Sequence, residues 1–150
     1  MTSGNPSIEV TLTDDVIDSQ RLVDAVTSKD SGAIVLFLGN VREMTNGRQT
    51  LWLEYDGHRE LAQAELGRLA EAALSDFGVN HIAIVHRLGK LELAETAVAI
   101  YVASGHRKEA FAACSWLMDR IKETVPIWKK ENWADGSTEW VHPSVEGVRS

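Results

Sequence analysis

The sequence predicts an α+β fold, a single domain over residues 1–150 with a mixed sheet and three main helices. Three observations carry that expectation. Apolar runs of strand length are interleaved with three stretches of helical periodicity. Some strands are separated by a helix and others by a short turn, which mixes parallel and antiparallel neighbours. No repeat, low-complexity tract or linker-like stretch interrupts residues 8–141, and only polar tails lie outside them. A chain of 150 residues with 44% hydrophobic content buries roughly 68–70% of its unfolded surface on folding, so one core suffices without covalent staples.

Residues 1–6 read as a frayed polar lead-in. Ile8, Val10 and Leu12 alternate with Glu9 and Thr11, the period of a half-buried strand. Thr13-Asp14-Asp15 reads as a helix cap with first-turn acids, followed by Ile17, Leu22, Val23 and Val26 as the apolar face. Residues 33–38 form a continuous apolar run between glycines, the pattern of a strand buried on both faces. Residues 39–50 break into a loop with Asn46-Gly47 as its turn, and Leu51, Leu53 and Tyr55 resume alternation. That loop is expected to join two antiparallel strands. From about His58, Leu61, Leu66, Leu69, Ala73 and Phe77 recur at helical spacing, with Gly78 placed to end the helix. Residues 81–86 read as a strand, 87–91 as a turn and 97–103 as the next strand. A third helix over about 105–125 turns Ala110, Cys114, Leu117 and Ile121 inward before Pro126 stops it. A short strand at 138–141 precedes the tail.

Composition narrows the function. One cysteine, Cys114, excludes an intramolecular disulfide and a cysteine-based zinc cage. Facing the core between Ala110 and Leu117, it reads as a small hydrophobe. No histidine or carboxylate cluster has metal-ligand spacing, so no metal and no cofactor is expected. The pI near 5.2 argues against nucleic acid, which needs a broad basic face. The chain shows neither a secretory leader nor an apolar run of membrane-spanning length, and the expectation is a cytoplasmic protein.

Against a net charge of −7, residues 104–133 concentrate seven potential cations: His106, Arg107, Lys108, Arg120, Lys122, Lys129 and Lys130. Such a concentration calls for an anionic ligand. His106 and Arg107 open a helix directly after a strand, where backbone N–H groups and the helix dipole already favour anions. Cations there work against the dipole, and such rule-breaking tends to mark functional sites. Lys122 sits at the edge of the apolar stripe beside Met118, where a solvated lysine is the default. Were Lys122 and Lys129 to converge on one pocket, either could act as acid, base or nucleophile. Arg42 lies in a glycine-flanked loop, the usual place for binding residues. His86-Arg87 ends a strand and reads as structural, and His58 simply opens its helix. Trp52 and Trp116 suit core or interface, whereas Trp128, Trp133 and Trp140 could wall a pocket for a flat ring.

Taken together, G-N-V-R at 39–42, L-E-Y at 53–55, H-R-L-G-K-L at 86–91, S-G-H-R at 104–107, M-D-x-x-K at 118–122 and P-I-W-K-K-E at 126–131 resemble the large, catalytic subunit of molybdopterin synthase. The resemblance covers about residues 8–141, in order and in spacing. It implies an α/β-hammerhead-like fold and a homodimer within a heterotetramer, each large subunit binding a small ubiquitin-like sulfur-carrier subunit. The implied reaction passes sulfur from the carrier's C-terminal thiocarboxylate to cyclic pyranopterin monophosphate, forming the dithiolene of molybdopterin. The alternative is a non-catalytic dimeric module that grips such a tail or a phosphorylated pterin. Carried over by position, Lys129 and Lys122 match the essential lysines. Asn40, Val41 and Arg42 match the substrate-contacting loop, and His106 and Arg107 the anion-binding pair that the family's second protomer supplies. Lys130 and Glu131 fall beside Lys129 in the same substrate-binding segment. Two departures stand out: Ala94 replaces a frequent glycine, and the tail at 142–144 lacks a basic residue found in some relatives.

Overall fold

Two sheets organise the chain. The computed structural model describes residues 6–26 and 29–144, leaving aside the side chain of Val26. Its elements in order are β1 (Ser7–Thr13), α1 (Ser19–Val26), β2 (Ala33–Asn40), β3 (Met44–Thr45), β4 (Arg48–Gly57), α2 (Arg59–Phe77), β5 (His81–Arg87), β6 (Gly89–Glu92), β7 (Thr96–Ser104), α3 (Arg107–Thr124), β8 (Ile127–Trp133) and β9 (Thr138–Val141). The first sheet has the order β1-β5-β7-β2, with β1 parallel to β5 and the other pairs antiparallel. This is the mixed sheet of an α+β fold. The second is antiparallel, β3-β4-β8-β9, and β6 also pairs with β4.

Three helices bury the first sheet. On one face, Leu66, Leu69 and Ala73 of α2 and Ala110, Leu117 and Ile121 of α3 pack against Ile82, Ile84, Ile100 and Val102. On the other, Leu22 of α1 meets Ala83, Ala99, Tyr101 and Ala103. Alternation along β7 therefore sends branched residues to the long helices and mostly alanines to α1, where small side chains admit a close approach. His58 caps α2 by accepting the Leu61 N–H on Nδ1 at 3.2 Å, and Gly78 ends it at φ 65°.

Several expectations need correction. β2 is not buried on both faces: it is an edge strand paired to β7 alone, and Ile34, Leu36, Phe37 and Leu38 are 36–42% exposed. The short α1 packs on β5 and β7, and β7 is the strand covered on both sides. The loop at 39–50 does not join antiparallel partners, because β2 and β4 lie in different sheets. The hairpin is β3–β4, turned at Asn46-Gly47 with φ 51° and 79°, as a two-residue turn matching strand twist requires. Residues 87–91 are not merely a turn, since Gly89 reverses the chain at φ 90° and β6 then pairs with β4. Nor does Thr13 cap α1. Its Oγ1 accepts the Asp15 N–H, and Asp18 caps the helix by accepting the Arg21 N–H at 3.1 Å. Most of the expected lead-in and the end of the tail lie outside the described residues.

Candidate active site

The site grows from the link between α3 and β8. Val125 closes α3 by donating its N–H to the Ile121 carbonyl, and Pro126 cannot continue the helix. Period-two alternation along β8 then turns Lys129 and Glu131 towards the sheet interior. Lys122, one helical turn beyond Met118, faces the same space. A cavity of about 290 Å³ opens there. Its walls are Asn40, Val41 and Arg42 after β2, Leu53 and Tyr55 of β4, Ala97 and Val98 of β7, Met118 and Lys122 of α3, and Lys129 and Glu131. A smaller chamber of about 70 Å³ shares Tyr55, Met118, Lys122 and Lys129 and extends to His86 and Pro143. Both lysines thus border both spaces.

The charges inside are held firmly. Lys129 and Glu131 are 6% and 2% exposed, with Nζ 3.3 Å from Oε1. Thr50 donates its hydroxyl to the other carboxylate oxygen at 3.0 Å. A buried charge persists only when it is paired and hydrogen-bonded, and Glu131 meets both needs for Lys129. His86 Nδ1 lies 2.9 Å from the Arg87 carbonyl, which can only accept, so Nδ1 carries the proton and Nε2 is left as an acceptor. Burial lowers the His86 pKa to about 4, and the ring stands edge-on to Tyr55 at 5.2 Å. A site with fixed cations and a neutral imidazole suits anionic substrates and proton transfer.

A family described as MoaE protein matches residues 12–124. The chain belongs to the MoaE family. Among MoaE relatives, the molybdopterin synthase catalytic subunit of Halalkalibacterium halodurans is 39% identical over 127 residues, spanning 85% of this chain and 81% of the relative. The crystal structure of molybdopterin synthase from Staphylococcus aureus aligns with a TM-score of 0.78 at 35% identity, covering 93% of this chain and 97% of that one. The protein–protein complex of subunits 1 and 2 of the molybdopterin-converting factor from Helicobacter pylori shares the fold at 20% identity and a TM-score of 0.66.

Within this MoaE chain, Asn40, Val41, Arg42, Lys122, Lys129 and Glu131 meet in one cavity. Three other candidates do not join them. Lys130 points to the opposite face of β8, half-buried with Nζ 5.9 Å from the Trp140 ring centre. His106 and Arg107 are exposed at the start of α3, about 17 Å along the helix from Met118 at 1.5 Å per residue. Lys108 is exposed beside them, and Arg120 is engaged by Glu123 at 2.8 Å. The seven cations therefore form no single cluster in one chain.

Cys114 sits in the α2–α3 core, where burial pushes its thiol up to about 11. The tryptophans do not wall the cavity. Trp133 is buried beneath the Arg48 guanidinium, 3.9 Å away, while Trp128 and Trp140 line a separate outer groove with Asp56 and His58. Sequence reasoning overlooked Tyr55 and Thr50 as parts of the site and read His86, which borders the smaller chamber, as structural. Period-two alternation through 127–133 was the available signal for separating Lys129 and Glu131 from Lys130. Among the described residues, no group of three His, Cys, Asp or Glu side chains could hold a metal ion.

Proposed function

We propose that this MoaE chain, acting as one catalytic unit, is the large subunit of a molybdopterin synthase. It transfers sulfur from the C-terminal thiocarboxylate of a small ubiquitin-like carrier subunit to cyclic pyranopterin monophosphate, forming the dithiolene of molybdopterin. The observation that carries this reading is the convergence of Lys122 and Lys129, from two different elements, at the junction of two cavities with Arg42 on the rim. Two anions must meet here. At ~4 Å their repulsion is about 4 kcal/mol for an effective dielectric of 20, and the cations offset it. Arg42 suits the phosphate through its planar fork. Lys129, whose amine is steadied by Glu131, stabilises charge developing at the carrier's carbonyl or moves protons as the pterin ring opens, and Lys122 shares that work. Each transfer forms a carbon–sulfur bond on the pterin and breaks the carrier's acyl–sulfur bond, with water supplying the oxygen that restores a carboxylate.

The reading includes a homodimer within a heterotetramer, for which the exposed apolar edge of β2 supplies the support. Ala33 lies opposite Ser104 in the β2–β7 ladder, and Asn40 opposite Thr96. Antiparallel pairing of two β2 edges about their middle would turn the partner subunit's strand end that leads into α3 towards the Asn40 end of this chain's β2. The proposed setting is the cytoplasm; among the described residues no helix is long and apolar enough to cross a membrane.

The test is reconstitution with a thiocarboxylated carrier and cyclic pyranopterin monophosphate, following molybdopterin as its fluorescent oxidation product. Wild type should make product, and Lys129→Ala should lose roughly 10²–10³-fold, the scale for removing one transition-state donor. Equal rates would remove Lys129 from the chemistry. Carrier binding without product from either would favour a binding module.

A further inference from the structure

We infer that Glu95, braced by Arg87, is a positioning residue that fixes the Arg42 loop against the cavity. The kinetic part of this inference rests on the function proposed above. The β2–β7 register shifts between Gly39 and Asn40, so the regular ladder ends just before Asn40, Val41 and Arg42, three of the residues that line the cavity. What replaces it is the turn between β6 and β7. Val41 donates its N–H to the Glu95 carbonyl at 2.9 Å, and Ala94 donates its own to the Val41 carbonyl at 2.7 Å. Thr96 Oγ1 donates to Asn40 Oδ1 at 2.8 Å. Both residues preceding Arg42 are therefore held by residues 94–96, and the Val41 side chain is anchored among Leu53, Leu91 and Ala97.

The turn is closed by the Glu95 N–H, which donates to the Glu92 carbonyl at 3.2 Å, and is braced by the Glu95 carboxylate. Glu95 Oε1 accepts the Glu92 N–H at 2.7 Å, and Oε2 accepts Arg87 Nη1 at 3.1 Å. Arg87 spends Nη2 on the Lys90 carbonyl at 3.3 Å, and its side chain is only 11% exposed. The Glu92 N–H and then the Arg87 guanidinium hold the Glu95 carboxyl below its usual range, so it stays ionised. This network clasps a turn whose Ala94 sits at φ 70°, a conformation that L side chains avoid and that persists where the surroundings over-determine it. The same side chain that fixes the turn thus belongs to the residue whose carbonyl receives Val41. Loosening it displaces Arg42 from the cavity and weakens the fork that would hold the pterin's phosphate.

The test uses the full-length chain with carrier and pterin. Glu95→Gln keeps an acceptor for the Glu92 N–H but removes the charge facing Arg87. The KM for the pterin should rise about tenfold, while the KM for the carrier and kcat stay within about twofold. In an Arg42→Ala background the same change should add less than about twofold, because residues acting through one another are not additive. Arg87→Met should reproduce the effect if Glu95→Gln folds poorly. Independently of turnover, amide exchange at Val41 should quicken about tenfold in Glu95→Gln while that at Ile100 does not. Additive effects in the Arg42→Ala background, or unchanged Val41 exchange, would overturn the inference. An inactive wild type would instead sink the proposed reaction, and Val41 exchange would still decide the brace.

Discussion

Acidification should test the interior of the site through His86. The ring is buried beside Tyr55, and burial lowers its pKa from 6.5 to about 4. In the unfolded chain the same imidazole regains its ordinary value, so between those limits the unfolded state binds a proton that the folded state refuses. Stability contributed this way is complete above 6.5, falls as pH falls through the window, and stops falling below about 4. At about 1.4 kcal/mol per unit, moving from neutrality to about pH 4.5 crosses two units and removes about 2.5 kcal/mol. Glu65, Glu95 and Asp135 also lie below their usual range, and their contributions fade in acid as well. The assay must therefore be differential: urea unfolding of wild type and His86→Gln at about pH 7, 5.5 and 4.5. Wild type should lose about 2.5 kcal/mol more than the variant over that range. Parallel losses, or a proton NMR titration placing His86 near 6.5, would refute a neutral imidazole held by burial.

Three further outcomes follow from the same geometry. Glu131→Ala removes the carboxylate from a buried lysine and should cost about 3–5 kcal/mol in urea unfolding; Lys129→Met with Glu131→Leu should recover at least half of that while staying inactive, and a cost under about 1 kcal/mol would deny the pair its role. Cys114→Ala should retain full turnover, and with its thiol pushed up to about 11 the native cysteine should alkylate about 100-fold more slowly at pH 8 than a free one. Ala94→Gly relieves a side chain held at φ 70° at about 1 kcal/mol, so thermal unfolding should rise by roughly 2–4 °C; a fall would show that the turn is not strained.

What the sequence disclosed depended on how local each cause was. The alternation of Ile8, Val10 and Leu12, the His58 cap and the Gly78 stop are each decided within a few residues, and each stands where its pattern puts it. The run at 33–38 shows the limit. Continuous apolarity reports that both faces of β2 are apolar, not that this chain covers them, and the edge position is a fact of topology. For α1, Thr13 closes a tighter turn on Asp15 instead of capping the helix, and the cap falls to Asp18, which the sequence pattern did not single out. β6 was invisible because only its pairing with β4, more than thirty residues away, makes it a strand.

The site divides along the same line. Lys122 was legible at the margin of a helical stripe, and Lys129 through the short, apolar segment after Pro126. The Lys129–Glu131 pairing and the grip of residues 94–96 on Val41 needed the folded registers. On the function proposed above, these non-local contacts are what would allow a protein of net charge −7 to bind anions. A ligand responds to the field of the pocket it enters rather than to the net charge, and low-dielectric walls concentrate that field. Glu131 lies at the back of the cavity and neutralises the cost of burying Lys129 without presenting a competing charge at the rim, where Arg42 stands. Moving that carboxylate one residue along β8 would turn it to the face occupied by Lys130, leaving Lys129 buried without its counter-ion. The spacing K-K-E after Pro126 is therefore a physical requirement: the first lysine faces the cavity, the second turns to the opposite face beside Trp140, and the acid steadies the first.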